Sequence, residues 1–221
     1  MIKGLIFDLD GVITETATLH YQAWKQEVKK INLDYSEKQN SSLKGLNRID
    51  TLKAILKIFN VNLDESEILK MANSKNEIYK KLLETEISEK NILPNIKEFL
   101  INAKQKNLKL AIASSSYNAP LILKKINLYH FFDFIVDPST INNGKPDPEI
   151  FLKAAKELNL KPEQTIGFED AIAGVKGLKA AKINAVAITH KENENWAIAD
   201  LVYESTSDLD LDFILKHFSK I

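Results

Sequence analysis

Short apolar runs stand at residues 2–7, 108–113, 134–136, 165–168 and 185–188. Runs of this length, bounded by turn or helix signals, suit strands buried on both faces. The stretches between the later runs change period. Ile96, Phe99, Leu100 and Ala103 fall on one helical face. KPDPEIFLKAAKEL, beginning at Lys145, reads as a helix with Asp147 placed to cap it and Pro148 suited to its first turn. DAIAGVKGLKAAK, beginning at Asp170, reads as another, weakened by Gly174 and Gly177. Strands alternating with helices predict an α/β chain with a doubly wound, Rossmann-like parallel sheet.

One interval breaks the alternation. Roughly a hundred residues separate the first two apolar runs, and they carry helical rather than strand patterning. Ile49, Leu52, Leu56 and Phe59 repeat at helical spacing, and Ser36 with Gln39 and Asp64 with Glu67 form capping-box patterns. A structureless connection of that length is improbable in a compact domain. The sequence therefore predicts an inserted α-helical cap over 14–92, linkers near 11–16 and 92–95, and a core made of 1–13 and 93–221.

Composition narrows the classes. The 221 residues, 44% hydrophobic, suffice for one large core and a small second one. Thirty basic and thirty acidic residues cancel, which argues against a broad nucleic-acid footprint. Without cysteine there is neither a disulfide nor a thiolate metal site. No apolar run approaches the ~18 residues of a membrane span, and MIKGLIFDLD lacks the form of a signal peptide. A cytoplasmic protein without membrane or nucleic-acid partners is expected.

The polar residues at the strand ends carry the chemistry. IFDLDG, residues 6–11, ends an apolar run in Asp8 and Asp10. LKLAIA ends in Ser114, Ser115 and Ser116; NNGKPDP puts Lys145 beyond the third run; QTIGFED ends in Glu169 and Asp170. In a parallel sheet all these ends share one edge, where open α/β folds bind ligands. Two carboxylates ~4 Å apart repel by roughly 4 kcal/mol at an effective dielectric of ~20, so such a cluster calls for a hard cation, and magnesium takes oxygen ligands. A carboxylate can also attack phosphorus, and the charge on a transferring phosphoryl group needs compensation of the kind a cation, Lys145 and Ser114 offer. Asp8 and Asp10 share a side if the strand persists through them.

FDLDGV, Ser114 after LAIA, Lys145 in GKPDP, and FED at 168–170 resemble, in order, the four motifs of the haloacid dehalogenase-like phosphotransferases. The resemblance spans essentially the whole chain, and the inserted helices are similar to the cap of that family. DLDGVITETATLHYQAW, LKGLNRIDTL and SKNEIYKKL are most similar to its β-phosphoglucomutase branch. The resemblance implies Asp8 as nucleophile and Asp10 as general acid and base. It implies magnesium held by Asp8, Glu169, Asp170 and the main-chain carbonyl of Asp10. It assigns the transferring phosphoryl group to Ser114 and Lys145, and a remote phosphate to Arg48, Ser116 and Asn118. Thr16, His20, Trp24, Lys44, Gly45, Thr51 and Lys75 complete the implied substrate contacts. The implied reaction interconverts β-glucose 1-phosphate and glucose 6-phosphate through an aspartyl-phosphate and a bisphosphate, with glucose 1,6-bisphosphate as activator and the protein a monomer.

The proton donor raises a quantitative question. A carboxylic acid of pKa ~3.9 is only ~0.1% protonated at pH 7, a cost of about 4 kcal/mol. Cap closure that excludes water would lower it. Two departures from the branch stand out: Tyr117 where a lysine is usual beside the remote phosphate, and Glu15 where an aspartate is common. A tyrosine hydroxyl donates one hydrogen bond and no full charge. Blander readings stand beside these: Glu169 and Asp170 as helix caps, Lys145 as a loop lysine, Ser114 as a turn residue, and Lys44 with Arg48 as an exposed basic face. Trp24 reads as packing in the cap; Ser115, His130, His190 and His217 read as structural. Alternative functions are a phosphatase of the same family, acting on a sugar phosphate or other small phosphate ester, and a non-catalytic sensor of a phosphorylated sugar.

Overall fold

The computed structural model describes residues 1–43, 45–191 and 194–219. Lys44 lies outside them. Six parallel strands form one sheet in the order β3-β2-β1-β4-β5-β6: β1 (Gly4–Phe7), β2 (Lys109–Ile112), β3 (Phe134–Ile135), β4 (Thr165–Glu169), β5 (Asn184–Ile188) and β6 (Leu201–Tyr203). The central strand alternates its side chains between two apolar layers. Leu5 and Phe7 join one cluster with α5 (Ile96–Gln105), α6 (Ala119–Lys125) and α9 (Leu211–Phe218); Ile6 joins the other with α7 (Glu149–Glu157) and α8 (Ile172–Ala180). Both faces are covered, as an all-parallel sheet requires.

The expected five strands are present, with ends displaced by up to two residues: β1, β2 and β3 are shorter than the apolar runs, and β4 and β5 are each one residue longer. β6 was not legible. It is a three-residue edge strand with Val202 49% exposed, too short and too polar in its surroundings to register as a buried run. The glycines of α8 are explained by packing. A Cβ on Gly174 would run into the carboxylate of Glu169, and one on Gly177 would crowd the ring of Phe151. The start of α7 also shifts by one residue: Asp147 Oδ1 accepts from Glu149 N at 2.9 Å, and Pro148 stands at the cap position instead of the first turn.

Between β1 and β2 lie α1 (Ala17–Lys29), α2 (Glu37–Ser41), α3 (Arg48–Ile58) and α4 (Glu65–Glu86). They enclose a third apolar cluster around Trp24, Tyr35, Leu52, Ile55 and Ile68. Both expected capping boxes form, at the starts of α2 and α4. Leu19, Ala23, Tyr79 and Leu83 instead pack into a core cluster, which seats α1 and α4 on the sheet's side. The two connections run side by side: Thr14 pairs with Ile92, its Oγ1 donates to Asn91 O at 2.7 Å, and Leu93 N donates to Ile13 O at 3.0 Å. No helix among the described residues is long and apolar enough to cross a membrane.

Candidate active site

At the carboxyl ends of β1, β2 and β4, a cavity of about 260 Å³ opens between the sheet edge and α1–α4. Asp8, Asp10, Ser114, Ser116, Asn118 and Asp170 line it from the core, and His20, Trp24, Gly45, Arg48, Thr51 and Lys75 from the cap.

The two aspartates reach the same space by a different route from the one expected. β1 ends at Phe7, and Asp8 continues only one ladder bond, its N–H donating to Phe168 O at 3.0 Å. Leu9 O then accepts from the N–H groups of Val12, Ile13 and Thr14, folding the chain into a tight turn. The turn, rather than strand alternation, brings Asp10 beside Asp8. At its corner Gly11 has φ +79°, and a Cβ there would strike the Asp170 carboxylate.

Beneath Asp8, Lys145 Nζ lies 2.5 Å from Asp8 Oδ1 and 2.5 Å from Glu169 Oε1, with all three side chains nearly inaccessible. The lysine also sits 5.0 Å from the centre of the Phe151 ring. Burial alone would favour the neutral amine, but the two carboxylates hold the Lys145 pKa above its usual value. Burial, opposed by Lys145 and reinforced by Asp8, pushes Glu169 up to about 7. Glu169 Oε2 accepts from the N–H groups of Asp170 and Ala171 at 3.2 and 3.3 Å. It thus serves the start of α8 as well as Lys145, and it stands behind the cavity wall.

Asp10 is held differently. Thr16 Oγ1 donates to Asp10 Oδ1. Burial and the Asp8 charge push the Asp10 carboxyl up to about 7, against the pull of Thr16. The proton that costs about 4 kcal/mol on an ordinary aspartic acid at neutral pH therefore costs less here. His20 Nε2 lies 4.0 Å from Asp10 Oδ2, and its Nδ1 lies 2.9 Å from Lys75 Nζ. Lys75 is 2% exposed and sits 4.9 Å from the Trp24 ring centre and 4.6 Å from that of Tyr79. Burial lowers Lys75 to about 7, and burial with the neighbouring Lys75 lowers His20 well below its ordinary value. With Lys75 donating to Nδ1, the imidazole presents an Nε2–H toward Asp10.

A chain of turn bonds organises the loop after β2. Ser114 Oγ accepts from Ser116 N at 3.1 Å, and Ser116 Oγ from Asn118 N at 3.3 Å. Asn118 Nδ2 crosses to the cap and donates to Asn76 Oδ1 at 2.9 Å. Arg48, first residue of α3, places its guanidinium carbon 5.4 Å from the Tyr117 ring centre, and its Nε is buried without a hydrogen-bond partner. Gly45 takes φ +79°, and a Cβ on it would press on Ala171 of the core at 3.0 Å. The Thr51 hydroxyl is spent on Asn47 O at 2.8 Å.

The sequence model of the family described as haloacid dehalogenase-like hydrolase matches residues 2–182. The chain belongs to that family. Among curated relatives, it is 39% identical over 219 residues to the β-phosphoglucomutase of Bacillus subtilis, covering 96% of this chain and 94% of the relative. It is 28% identical over 202 residues to a phosphorylated carbohydrates phosphatase of Thermotoga maritima, covering 90% and 91%. The crystal structure of a Clostridium difficile β-phosphoglucomutase superposes with a TM-score of 0.94 at 40% identity, covering 100% of this chain and 98% of that one. In this haloacid dehalogenase-like fold, Asp8, Asp10 and Asp170 line the cavity from the core and the inserted helices cover it. Lys145, Glu169 and Thr16 stand behind the lining, Thr16 in hydrogen-bond contact with Asp10. Asn40, Leu43, Leu46 and Ala17 add to the lining unforeseen, as do Ser115 and His190, which had read as structural. Nothing in their local sequence distinguishes them; the topology alone brings them in.

Proposed function

We propose that the protein is a magnesium-dependent phosphomutase that interconverts β-glucose 1-phosphate and glucose 6-phosphate. The observation carrying this reading is Arg48. A cap arginine with a buried, unpartnered Nε faces the same cavity as Asp8. An orphaned buried donor invites an anion, and a second phosphate site opposite the nucleophile is what a mutase needs to hold a bisphosphate in either orientation. The likeness to two β-phosphoglucomutases at 39% and 40% identity supports the same reading.

In this reading residues 14–92 form the cap and 1–13 with 93–221 the core. Asp8 attacks phosphorus, and an aspartyl-phosphate forms as the bond to the sugar oxygen breaks. Asp10 gives its proton to that oxygen and later takes one from the incoming hydroxyl. Ser114 and Lys145 hold the transferring group; Arg48, Ser116 and Asn118 hold the other phosphate. His20, Trp24, Gly45, Thr51 and Lys75 shape the sugar's space, and Thr16 steadies Asp10.

Among the described residues, no three carboxylate or imidazole groups are gathered as a ready metal cage, and Lys145 stands between Asp8 and Glu169. The donor chemistry nonetheless suits magnesium: Asp8 and Asp170 present hard oxygens at the cavity, and after burial the Asp8 charge is the next largest influence raising the Asp10 pKa. Asp8, Asp170 and the Asp10 carbonyl would hold the ion, with Glu169 behind them. Bound there, it would neutralise the crowded carboxylates and the charge on the phosphoryl oxygens.

The second reading, a sugar-phosphate phosphatase, is favoured by Tyr117, which brings no charge to the remote site and is 50% exposed. The test supplies β-glucose 1-phosphate, magnesium and a trace of glucose 1,6-bisphosphate, and measures glucose 6-phosphate and free phosphate separately. Glucose 6-phosphate should predominate; free phosphate in excess sinks the mutase reading.

A further inference from the structure

His190 follows β5 beyond Thr189 and lies past residue 182, where the family match ends. It nevertheless lines the cavity, and its Nε2 is 2.7 Å from the carbonyl oxygen of Gly11. A carbonyl only accepts, so the imidazole carries its proton on Nε2 and donates it. The contact joins residues 179 positions apart in the chain.

Its target is the weak point of the catalytic turn. Gly11 must be glycine, because a side chain would meet Asp170 and because its φ is +79°. The same lack of a side chain gives the corner next to Asp10 the greatest freedom to move. Its N–H is tied within the turn, to Thr14 O at 2.9 Å. Its carbonyl is tied from outside, by His190. That histidine stands on firm ground: Thr189 is buried and its N–H donates to Tyr203 O at 2.8 Å, continuing the β5–β6 ladder. His190 itself holds φ +48°, which non-glycine residues adopt at a cost.

We propose that His190 is a positioning residue, pinning the Gly11 carbonyl to the end of β5 so that cap motion pivots beyond Gly11 and Asp10 keeps its place. The inference rests on the reading of Asp10 as general acid and base. Proton transfer tolerates little displacement. Thr16 restrains the Asp10 carboxyl, and His190 restrains the backbone that carries it.

Three variants test this in the full chain. His190→Ala and His190→Phe remove the donor, Phe keeping a ring; His190→Gln keeps an N–H donor at similar reach. On whichever product the wild type makes, His190→Ala and His190→Phe should lower kcat about tenfold and leave KM within about twofold, while His190→Gln recovers most of the rate. Full kcat in the first two, or a Gln variant as slow as Ala, overturns the proposal. Hydrogen exchange needs no substrate. Amides of residues 9–14 should exchange about tenfold faster in His190→Ala and at wild-type rate in His190→Gln; unchanged protection in both overturns the pin. Wild type yielding only free phosphate would defeat the mutase reading, and turnover by Asp10→Asn the acid–base reading. The exchange contrast is independent of both.

Discussion

The Nζ of Lys75 stands 2.9 Å from Nδ1 of His20. Two basic groups thus share a buried pocket walled by Trp24 and Tyr79, and Asp10 is the carboxylate whose charge supports the lysine against burial. The arrangement stores a cost in the cap while the lysine is charged, and a neighbouring anion lessens it.

That cost sets a pH dependence. Lys75 titrates near 7 when folded and near 10.5 when unfolded. Between those values the unfolded chain binds the extra proton, so stability rises with pH through the window, and the full cost is present below about 7. Lys75→Met should therefore be more stable than wild type at pH 7, by a few kcal/mol at most, and its stability should rise less between pH 7 and 10. Urea unfolding at pH 7 and 9.5 checks this; equal slopes in both proteins would refute it.

Asp10 gives the opposite sign. Its folded carboxyl titrates near 7 and its unfolded one near 3.8. The folded state holds the extra proton between these values, so stability falls as pH rises through them, with the full cost above about 7. In metal-free protein, Asp10→Asn should gain about 2–4 kcal/mol at pH 8 and almost nothing below pH 4, while losing turnover. With 29% of its side chain open, the lower end of that range is expected. A gain independent of pH would show that Asp10 is not the strained acid.

How legible was the site in the sequence? Asp8, Ser114 and Asp170 follow from strand ends in a parallel sheet, because that topology has one carboxyl edge and each sits just past an apolar run; Lys145 follows from the loop beyond the third run. Capping boxes at Ser36 and Asp64 were legible because they depend on neighbours three residues away. What escaped depends on distant contacts. His190 meets Gly11 only through the order of β1, β4 and β5 across the sheet. The withdrawal of Glu169 behind the cavity wall depends on Gly174 making room on α8. Sequence patterning carries local period and capping; it carries no register between elements far apart.

The buried triad of Lys145, Asp8 and Glu169 should be fragile to single removal. Lys145→Ala leaves two buried carboxylates facing each other without their shared cation, and the expected cost is about 3–5 kcal/mol. Adding Glu169→Gln removes one of the orphaned charges, so the double variant should recover part of that loss and show a coupling of at least about 1 kcal/mol. Thermal or urea unfolding of the four proteins at pH 8 reads the cycle directly. Additive losses would mean that Lys145 is compensated by something other than this pair.

Tyr117 sets the last expectation. Its half-exposed ring lies under the Arg48 guanidinium at 5.4 Å, so it steadies the arginine without adding charge, a contribution of about 0.5–1 kcal/mol at an exposed site. Tyr117→Lys trades that platform for an ammonium beside the same cavity. If Arg48 receives the remote phosphate, the added charge should tighten binding of glucose 1,6-bisphosphate several-fold, with a gain that shrinks as salt is raised because the site is open to solvent. Tyr117→Ala should weaken binding by about two- to fivefold through loss of the platform. Calorimetric titration of the metal-bound protein at two ionic strengths separates the outcomes. Identical affinities in all three proteins would place Tyr117 outside the phosphate's reach and move the discrimination between transfer to sugar and transfer to water onto Arg48 and Asn118 alone.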